Sequence, residues 1–247
     1  MATGTREEQV ALTLVQLADT LSDTTDEHDM YELLAERSAE ILEVTATALL
    51  INNNRGLPKL VATGGEAISF DTLIDIQRIK GPCLECCQTG QTIHVENLAD
   101  HRDTWPKFVT SVLTAGFRSV HSFPMAIRDQ NFGALTLFSA QDRTMSSSEL
   151  AITRAMTNVS TISLLQSRAL REAEEMGQQL QRALNKRIAT EQAKGRIAQR
   201  LTVEISDADE LLNRFAETAN RRSSDVAADI LSGNIPLENL LRPRESK

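Results

Sequence analysis

The hydrophobic and polar positions of the chain follow two different periods, and the period changes several times along the sequence. Near the N-terminus, apolar residues recur at spacings of three and four, which predicts amphipathic helices. Shorter apolar runs between turn residues then predict strands and short helices. The predicted helices cover 6–21, 27–43, 71–80 and 104–115, and the predicted strands cover 45–51, 60–63, 92–95, 120–127 and 132–138. Strands joined by hairpins and by helices predict an α+β fold with a largely antiparallel sheet.

A much longer helical pattern begins at Ser146. The segment Ser146-Ser147-Ser148-Glu149 predicts a capping box, and the apolar positions that follow predict a helix of roughly 50 residues, about 75 Å long. Such a helix is too long to pack wholly on one small domain, so we expect a parallel coiled-coil dimer, which the N-terminal helix could join. Two further helices, predicted at 206–220 and 224–231, would form a small bundle with its end.

Composition places the chain in a broad class. Its 247 residues are 41% apolar and 24% charged, which is ordinary for a globular protein. The sequence contains no run of 18 apolar residues, so we expect no transmembrane helix. The N-terminus lacks the pattern of a signal peptide. Three cysteines, an odd number, fit a reducing compartment. We therefore expect a cytoplasmic protein.

Charge divides the chain in two. The formal net charge is −8, yet residues 178–247 carry 12 Lys and Arg against 10 Asp and Glu. Residues 178–202 alone contain six basic residues and a single acidic one, Glu191. A short basic helix on an acidic protein predicts a local site for a polyanion, most commonly a nucleic acid. The alternative is a solvated helix surface without a partner.

Two sides of this basic helix could face an anion. One stripe on the helical wheel contains Arg182, Lys186, Ala189, Ala193, Arg196 and Arg200. Because alanine side chains are short, a phosphate backbone could approach this stripe closely. Arg187 and Lys194 lie on another edge, with Glu191 between them, where either ion pairing or phosphate contact would explain them. Gly195 would either allow close approach of a ligand or make room for the third helix.

The C-terminal segment resembles the ANTAR family. The similarity lies in the run Arg187–Gly195, in Arg200, and in the helices that end at Asp225-Val226-Ala227, over about residues 178–233. ANTAR domains are three-helix RNA-binding modules of bacterial antitermination regulators. The resemblance implies binding to paired hairpin loops of nascent RNA, which favours an antiterminator over a terminator. Among the residues that carry the resemblance, we expect RNA binding at Arg187, Gln192, Ala193, Lys194, Gly195 and Arg200. We also expect it at Arg196 and Arg221, which belong to the basic surface of this chain.

Two features qualify this RNA-binding interpretation. The family commonly has an aliphatic residue where this chain has Arg196. After residue 177 the only aromatic residue is Phe215, so bases cannot stack on aromatic side chains there. Recognition would therefore depend on phosphates, base edges and shape.

The upstream region, about 10–165, is similar to GAF domains that accompany ANTAR modules. The similarity is carried by Gly81–Cys86, Trp105–Phe108, Ala115–Val120 and Phe132–Phe138. It implies a six-stranded antiparallel sheet flanked by helices, with a pocket for a small-molecule ligand. In that pocket Trp105, Phe117, Phe123 and Phe138 would form apolar walls.

The expected organisation is a GAF-like sensor domain over 1–165, a coiled-coil linker over 166–185 and an ANTAR domain over 186–247. The expected protein is a homodimeric regulator. No nucleophile elbow, P-loop or dinucleotide fingerprint is present, so we expect neither an enzyme nor a bound cofactor.

One alternative is a DNA-binding regulator whose last helices form a helix-turn-helix. The predicted third helix would then be the recognition helix. It carries Asp225 and Asp229 and no basic residue, so it would repel phosphate.

Another alternative is a redox or metal sensor. It would use Cys83, Cys86 and Cys87, completed by His94, His101 or His121 if the fold brought one of them close. Structural zinc normally has four ligands. We therefore expect packing roles for the cysteines and no metal.

Overall fold

The chain forms two compact units, spanning residues 1–169 and 170–247. The computed structural model describes residues 5–19, 27–53, 57–65, 80–128 and 130–241. The helix predicted over 71–80 lies outside the described residues except for Lys80. None of the described helices combines the length and apolarity that a membrane crossing requires.

Most of the helices lie close to their predicted positions, but the helix Pro82–Thr89 was not predicted. They are α1 (Arg6–Ala18), α2 (Glu27–Leu42), α3 (Pro82–Thr89), α4 (Pro106–Thr114), α5 (Ser147–Leu201), α6 (Ile205–Thr218) and α7 (Ser223–Ser232). Short 3-10 helices cover Leu98–His101 and Leu237–Leu241. The long helix predicted from Ser146 is confirmed, since α5 contains 55 residues.

The described residues of the first unit form one antiparallel sheet of five strands. The strands are β1 (Ala46–Asn52), β2 (Pro58–Gly65), β3 (Ile93–Val95), β4 (Ser119–Ile127) and β5 (Gln130–Ser139). Their order across the sheet is β2-β1-β5-β4-β3, and the predicted hairpins are β1–β2 and β4–β5. Gly133 is required where β5 meets β1, because a Cβ there would lie 2.0 Å from the Leu50 carbonyl oxygen.

Apolar clusters cover both faces of the sheet. Alternate strand residues such as Leu49, Phe123 and Leu135 pack with α1, α2 and the first part of α5. The opposite alternation, including Leu50 and Phe138, packs with α3 and α4. This division follows from the two-residue period of a strand, which sends neighbouring side chains to opposite faces.

The start of α5 is fixed to the sheet domain by polar contacts. The predicted capping box is present: the Ser146 hydroxyl accepts from the Glu149 N–H, and the Glu149 carboxylate accepts from the Ser146 N–H. The guanidinium of Arg143 donates to the carbonyl oxygens of Leu42 and Glu43, and it also pairs with Glu149. These contacts anchor the first turn of α5 to the end of α2.

Candidate nucleic-acid interface

A three-helix bundle forms around the C-terminal part of α5. Ala193 and Ile197 are fully buried on α5, four residues apart on one side of the helix. They pack in one cluster with Leu212 of α6 and with Val226 and Ile230 of α7. The spacing of these apolar positions thus turns this side of α5 toward the other two helices.

The burial of Ala193 corrects one sequence prediction. We expected Ala193 to lie on an open, low stripe that a phosphate backbone could approach. Its side chain instead lies inside the bundle. Ile197, which the sequence interpretation did not single out, is the second anchor, and its spacing of four from Ala193 is the signal that could have identified it.

Lys194 is held by two carboxylates. Its Nζ lies 2.8 Å from Oδ1 of Asp209 on α6 and 3.0 Å from Oε1 of Glu191 on α5. Hydrogen bonds to Asp209 and then to Glu191 raise the pKa of Lys194. The side chain is only 16% exposed, so this ammonium joins two helices of the bundle. The ion pair with Glu191 was one of the two alternatives left open by the sequence, whereas the contact with Asp209 was not foreseen.

Arg196 lies on the other side of the buried residues and contacts α7. Its Nη1 donates to the carbonyl oxygens of Ile230 and Leu231, at 3.2 and 2.9 Å. The last carbonyl groups of a helix have no partner within the helix and carry partial negative charge. A guanidinium at this place therefore satisfies the end of α7, which explains an arginine where the family commonly has an aliphatic residue.

Arg221 is also engaged within the bundle. Its Nη2 lies 2.6 Å from Oδ2 of Asp229 on α7. The hydrogen bond from Arg221, followed by one from Asn234, lowers the pKa of Asp229. Arg221 thus links the turn after α6 to the end of α7.

Six of the eight predicted site residues are exposed to solvent: Arg187, Gln192, Gly195, Arg196, Arg200 and Arg221. Within the described part of the chain, neither Arg187 nor Arg200 has an acidic partner. The ammonium of Lys186 and the guanidinium of Arg182 are exposed on the turns of α5 before the bundle, where Arg182 donates to Gln178. These cations leave positive charge open to solvent on α5.

Gly195 faces open space. A Cβ built at this position would meet no described atom within 4 Å, so the glycine does not make room for the third helix. That alternative from the sequence is wrong. The glycine costs about 1 kcal/mol of helix stability relative to alanine, and no contact within the bundle offsets this cost.

The cysteines are buried among apolar side chains. Cys83, Cys86 and Cys87 lie in the cluster between the sheet and α3–α4, and all three are free thiols. Burial raises the pKa of Cys83 to about 11 and that of Cys87 to about 12, and it also raises the pKa of Cys86. Because the thiolate is the reactive form, burial and a raised pKa both favour packing roles for these side chains.

The four aromatic residues expected to line one pocket lie on two faces of the sheet. Trp105, Phe117 and Phe138 are in the cluster with α3 and α4, whereas Phe123 is in the cluster with α1, α2 and α5. Phe123 therefore cannot form a wall with the other three. The indole N–H of Trp105 donates to Glu85 at 3.2 Å, and its ring stacks on His101.

Comparison with known families agrees with this architecture. The model of the GAF domain matches residues 24–164, and the model of the ANTAR domain matches residues 178–231. No curated protein sequence matches the chain.

Solved structures resemble the first unit. The GAF domain of the Acinetobacter phosphoenolpyruvate-protein phosphotransferase is 15% identical, with a TM-score of 0.50 over 64% of this chain and 94% of that one. The free methionine-R-sulfoxide reductase of Neisseria meningitidis, solved with its substrate, is also 15% identical, with a TM-score of 0.51 over 69% and 96%. At these identities the likeness shows the fold alone.

Proposed function

We propose a function from one premise: the chain belongs to the GAF-domain family and carries an ANTAR domain after its GAF domain. Both are regulatory domains, so the chain is a regulator with a sensor domain. Its ANTAR domain binds paired hairpin loops in nascent RNA and favours antitermination. The GAF domain, through a small-molecule ligand or another signal, controls that binding.

The observation that carries this proposal is the distribution of charge around the bundle. The chain is acidic as a whole, with a net charge of −8, yet Arg182, Lys186, Arg187 and Arg200 are exposed along the same stretch of α5. Phosphate contacts supply most of the affinity of a nucleic-acid-binding protein. A local cluster of open cations gives this part of the chain an attraction that the rest of it lacks.

The predicted site residues divide into two roles in this proposal. Arg187 and Arg200 contact phosphates, and Gln192 reads base edges beside Gly195, where the missing Cβ lets RNA approach the helix. Lys194, Arg196 and Arg221 position the three helices through the contacts they make within the bundle. Ala193 supports the site from the core.

The active species is proposed to be a homodimer joined along α5. Large apolar side chains stay exposed on the described helix at Leu170, Met176, Leu180, Leu184 and Ile188. The last four follow one another at intervals of four residues and Leu170 precedes Met176 by six, so all five lie within about 120° of the helix circumference, as in a helix–helix seam. Two bundles in one dimer could hold two RNA loops at once, and the second contact would benefit from a high effective concentration.

The RNA site is tested by titrating the full-length protein into an RNA with two hairpin loops. We expect Arg187→Ala and Arg200→Ala each to weaken binding by about fivefold, if one phosphate contact is worth roughly 1 kcal/mol. Each variant should also reduce the slope of the logarithm of the binding constant against the logarithm of the salt concentration by about one, because one fewer counterion is released.

Lys107→Ala is the matched control, because it removes an exposed cation from the GAF domain. Equal affinity for wild type and both arginine variants at physiological salt would contradict the assigned site. Tighter binding to duplex DNA of matched length would favour the DNA-binding alternative instead.

Dimerisation is tested by sedimentation of the chain lacking residues 178–247, which we expect to stay dimeric. Leu170→Lys with Met176→Lys, in the part of the seam that the shortened chain keeps, should shift that chain to a monomer, whereas Glu174→Gln, between them, should not. A monomeric wild-type protein would contradict the proposed dimer contact along α5, but it would not bear on the proposed RNA contacts.

A further inference from the structure

Two histidines face each other on neighbouring strands of the sheet. His94 on β3 is paired directly with His121 on β4, and their Nδ1 atoms are 3.1 Å apart. His121 is 1% exposed, whereas His94 is open to solvent. The pair thus joins the domain interior to its surface.

The hydrogen bonding of His121 determines which of its nitrogens carries the proton. Its Nε2 lies 3.0 Å from the carbonyl oxygen of Arg143, and a carbonyl oxygen only accepts. Nε2 must therefore carry the proton, so Nδ1 of His121 accepts a hydrogen bond from the Nδ1–H of His94. A metal-ligating histidine in proteins typically has this arrangement, in which the second ring nitrogen donates to a carbonyl group and fixes the ring.

The separation of the two nitrogens suits a metal ion. Zinc binds histidine nitrogen at about 2.0–2.1 Å. At that bond length, two nitrogens would be roughly 2.9 Å apart in a 90° arrangement and roughly 3.3 Å apart in a tetrahedral one. The observed 3.1 Å lies between these values. For an ion to replace the hydrogen bond, His94 must carry its proton on Nε2, and the rings must turn until both Nδ1 lone pairs point roughly 35–45° off the line that joins the nitrogens.

We infer that His94 and His121 bind a divalent first-row transition metal ion through their Nδ1 atoms. Imidazole suits zinc, copper and nickel, and it discriminates against magnesium and calcium, which prefer oxygen ligands. The described residues contain no cluster of three or more metal-binding side chains. Water therefore fills the remaining positions, and the ion is exchangeable rather than structural.

Charged side chains surround the two rings. Arg154 acts on His94 and Arg143 acts on His121, and both cations disfavour an ion at this place. The carboxylate of Glu96 acts on both rings and favours an ion, and Arg143 is paired with Glu149. The proposed metal site therefore depends on the positions of the two Nδ1 atoms and not on the charge around them.

The test is calorimetric titration of the full-length protein with Zn²⁺ at pH 7.5. We expect one ion per chain with a micromolar dissociation constant, and at least a tenfold loss of affinity in His94→Gln. His94 is exposed, so this variant should fold, which its thermal unfolding checks. The matched controls are His101→Gln, which alters a histidine stacked on Trp105, and His28→Gln, which removes the imidazole beside Glu32.

Imidazole ¹⁵N NMR gives a second, independent readout. The His121 ring should show the Nε2–H form before zinc is added, and zinc should shift the His94 and His121 signals together. The proposal is overturned if wild type binds no zinc at millimolar concentration, if His94→Gln binds as tightly as wild type, or if His28→Gln loses affinity equally. None of these results would bear on RNA binding.

Discussion

Lys194 lies in the run that resembles the ANTAR family, and its ion pair with Asp209 predicts that it holds the bundle together instead of contacting RNA. The perturbation is Lys194→Met, which keeps the aliphatic stem and removes the charge. Asp209→Asn removes the partner. The pair is 2.8 Å long, and its members are 16% and 42% exposed, so solvent screens it in part. We expect a coupling free energy of about 1 kcal/mol, at the upper end for surface pairs.

The assay is native-state hydrogen exchange of the α6 and α7 amides in the full-length protein, since it reports local opening of the bundle. A loss of about 1 kcal/mol corresponds to roughly fivefold faster exchange. The double variant should exchange no faster than either single one, because the interaction is lost only once. Glu191→Gln, which removes the more exposed partner at 60% exposure, is the control and should cost only a few tenths of a kcal/mol.

RNA titration of the same variants tests whether Lys194 acts within the bundle or on RNA. If Lys194 acts by holding α5 and α6 together, Lys194→Met and Asp209→Asn should weaken RNA binding by similar factors and leave its salt dependence unchanged. If Lys194 instead contacts a phosphate, Lys194→Met lowers the salt slope by about one. Asp209→Asn, which removes a competing negative charge, would then tighten binding. That pair of results would refute the reasoning.

Three further changes test other parts of the structure. Gly195→Ala should stabilise α5 by about 1 kcal/mol in thermal unfolding while weakening RNA binding; unchanged RNA affinity would remove the reason proposed for this glycine. Ile197→Ala should cost about 2–5 kcal/mol through an internal cavity and accelerate exchange in α6 and α7 but not in the sheet; protection equal to wild type would contradict the bundle core.

Burial raises the pKa of Glu149, but hydrogen bonds from Ser146 and Arg143 outweigh it, so the net pKa is lowered. The stabilisation by Glu149 should therefore be present above its unfolded pKa and lost as pH falls through the folded one. In the wild type, the stability that amide exchange reports over 147–153 should fall as pH falls through the pKa of Glu149. In Glu149→Gln this pH dependence should be absent. Identical pH profiles of the two proteins would contradict the role of the capping box.

Local sequence patterns were sufficient for most of the elements. The three-and-four spacing that follows Ser146 predicted α5, because an apolar stripe on a helix repeats with that period. The capping box formed by Ser146 and Glu149 needs only four consecutive residues, so it was also predictable. The hairpins followed from turn residues between apolar runs.

The face of α5 that the bundle covers could not be obtained in this way. On the wheel, Ala193 looked like part of a basic stripe, since alanine is compatible with both an open surface and a packed core. Whether α6 and α7 cover it depends on where Leu212, Val226 and Ile230 lie in space. These residues are distant in sequence, so helical periodicity carries no information about their contact.

The same limit applies to charged and aromatic side chains. Lys194 and Asp209 are 15 positions apart, and Arg196 reaches the carbonyl groups of Ile230 and Leu231 across 34 and 35 positions. A sequence shows that such cations exist, but not whether another helix neutralises them. Similarly, the position of Phe123 on the opposite face from Phe138 depends on strand register, in which a shift of one residue exchanges the two faces.

The sequence by itself thus determined the α+β class, the long helix, the charge asymmetry and the two family resemblances, because each rests on neighbouring residues or on composition. Only the tertiary structure separated the cations that hold the bundle, Lys194, Arg196 and Arg221, from the open ones, Arg187 and Arg200. It also brought His94 and His121 within 3.1 Å. The physical reason is the same in each case: a charged or ligating side chain acquires its role from partners that the chain brings close only by folding.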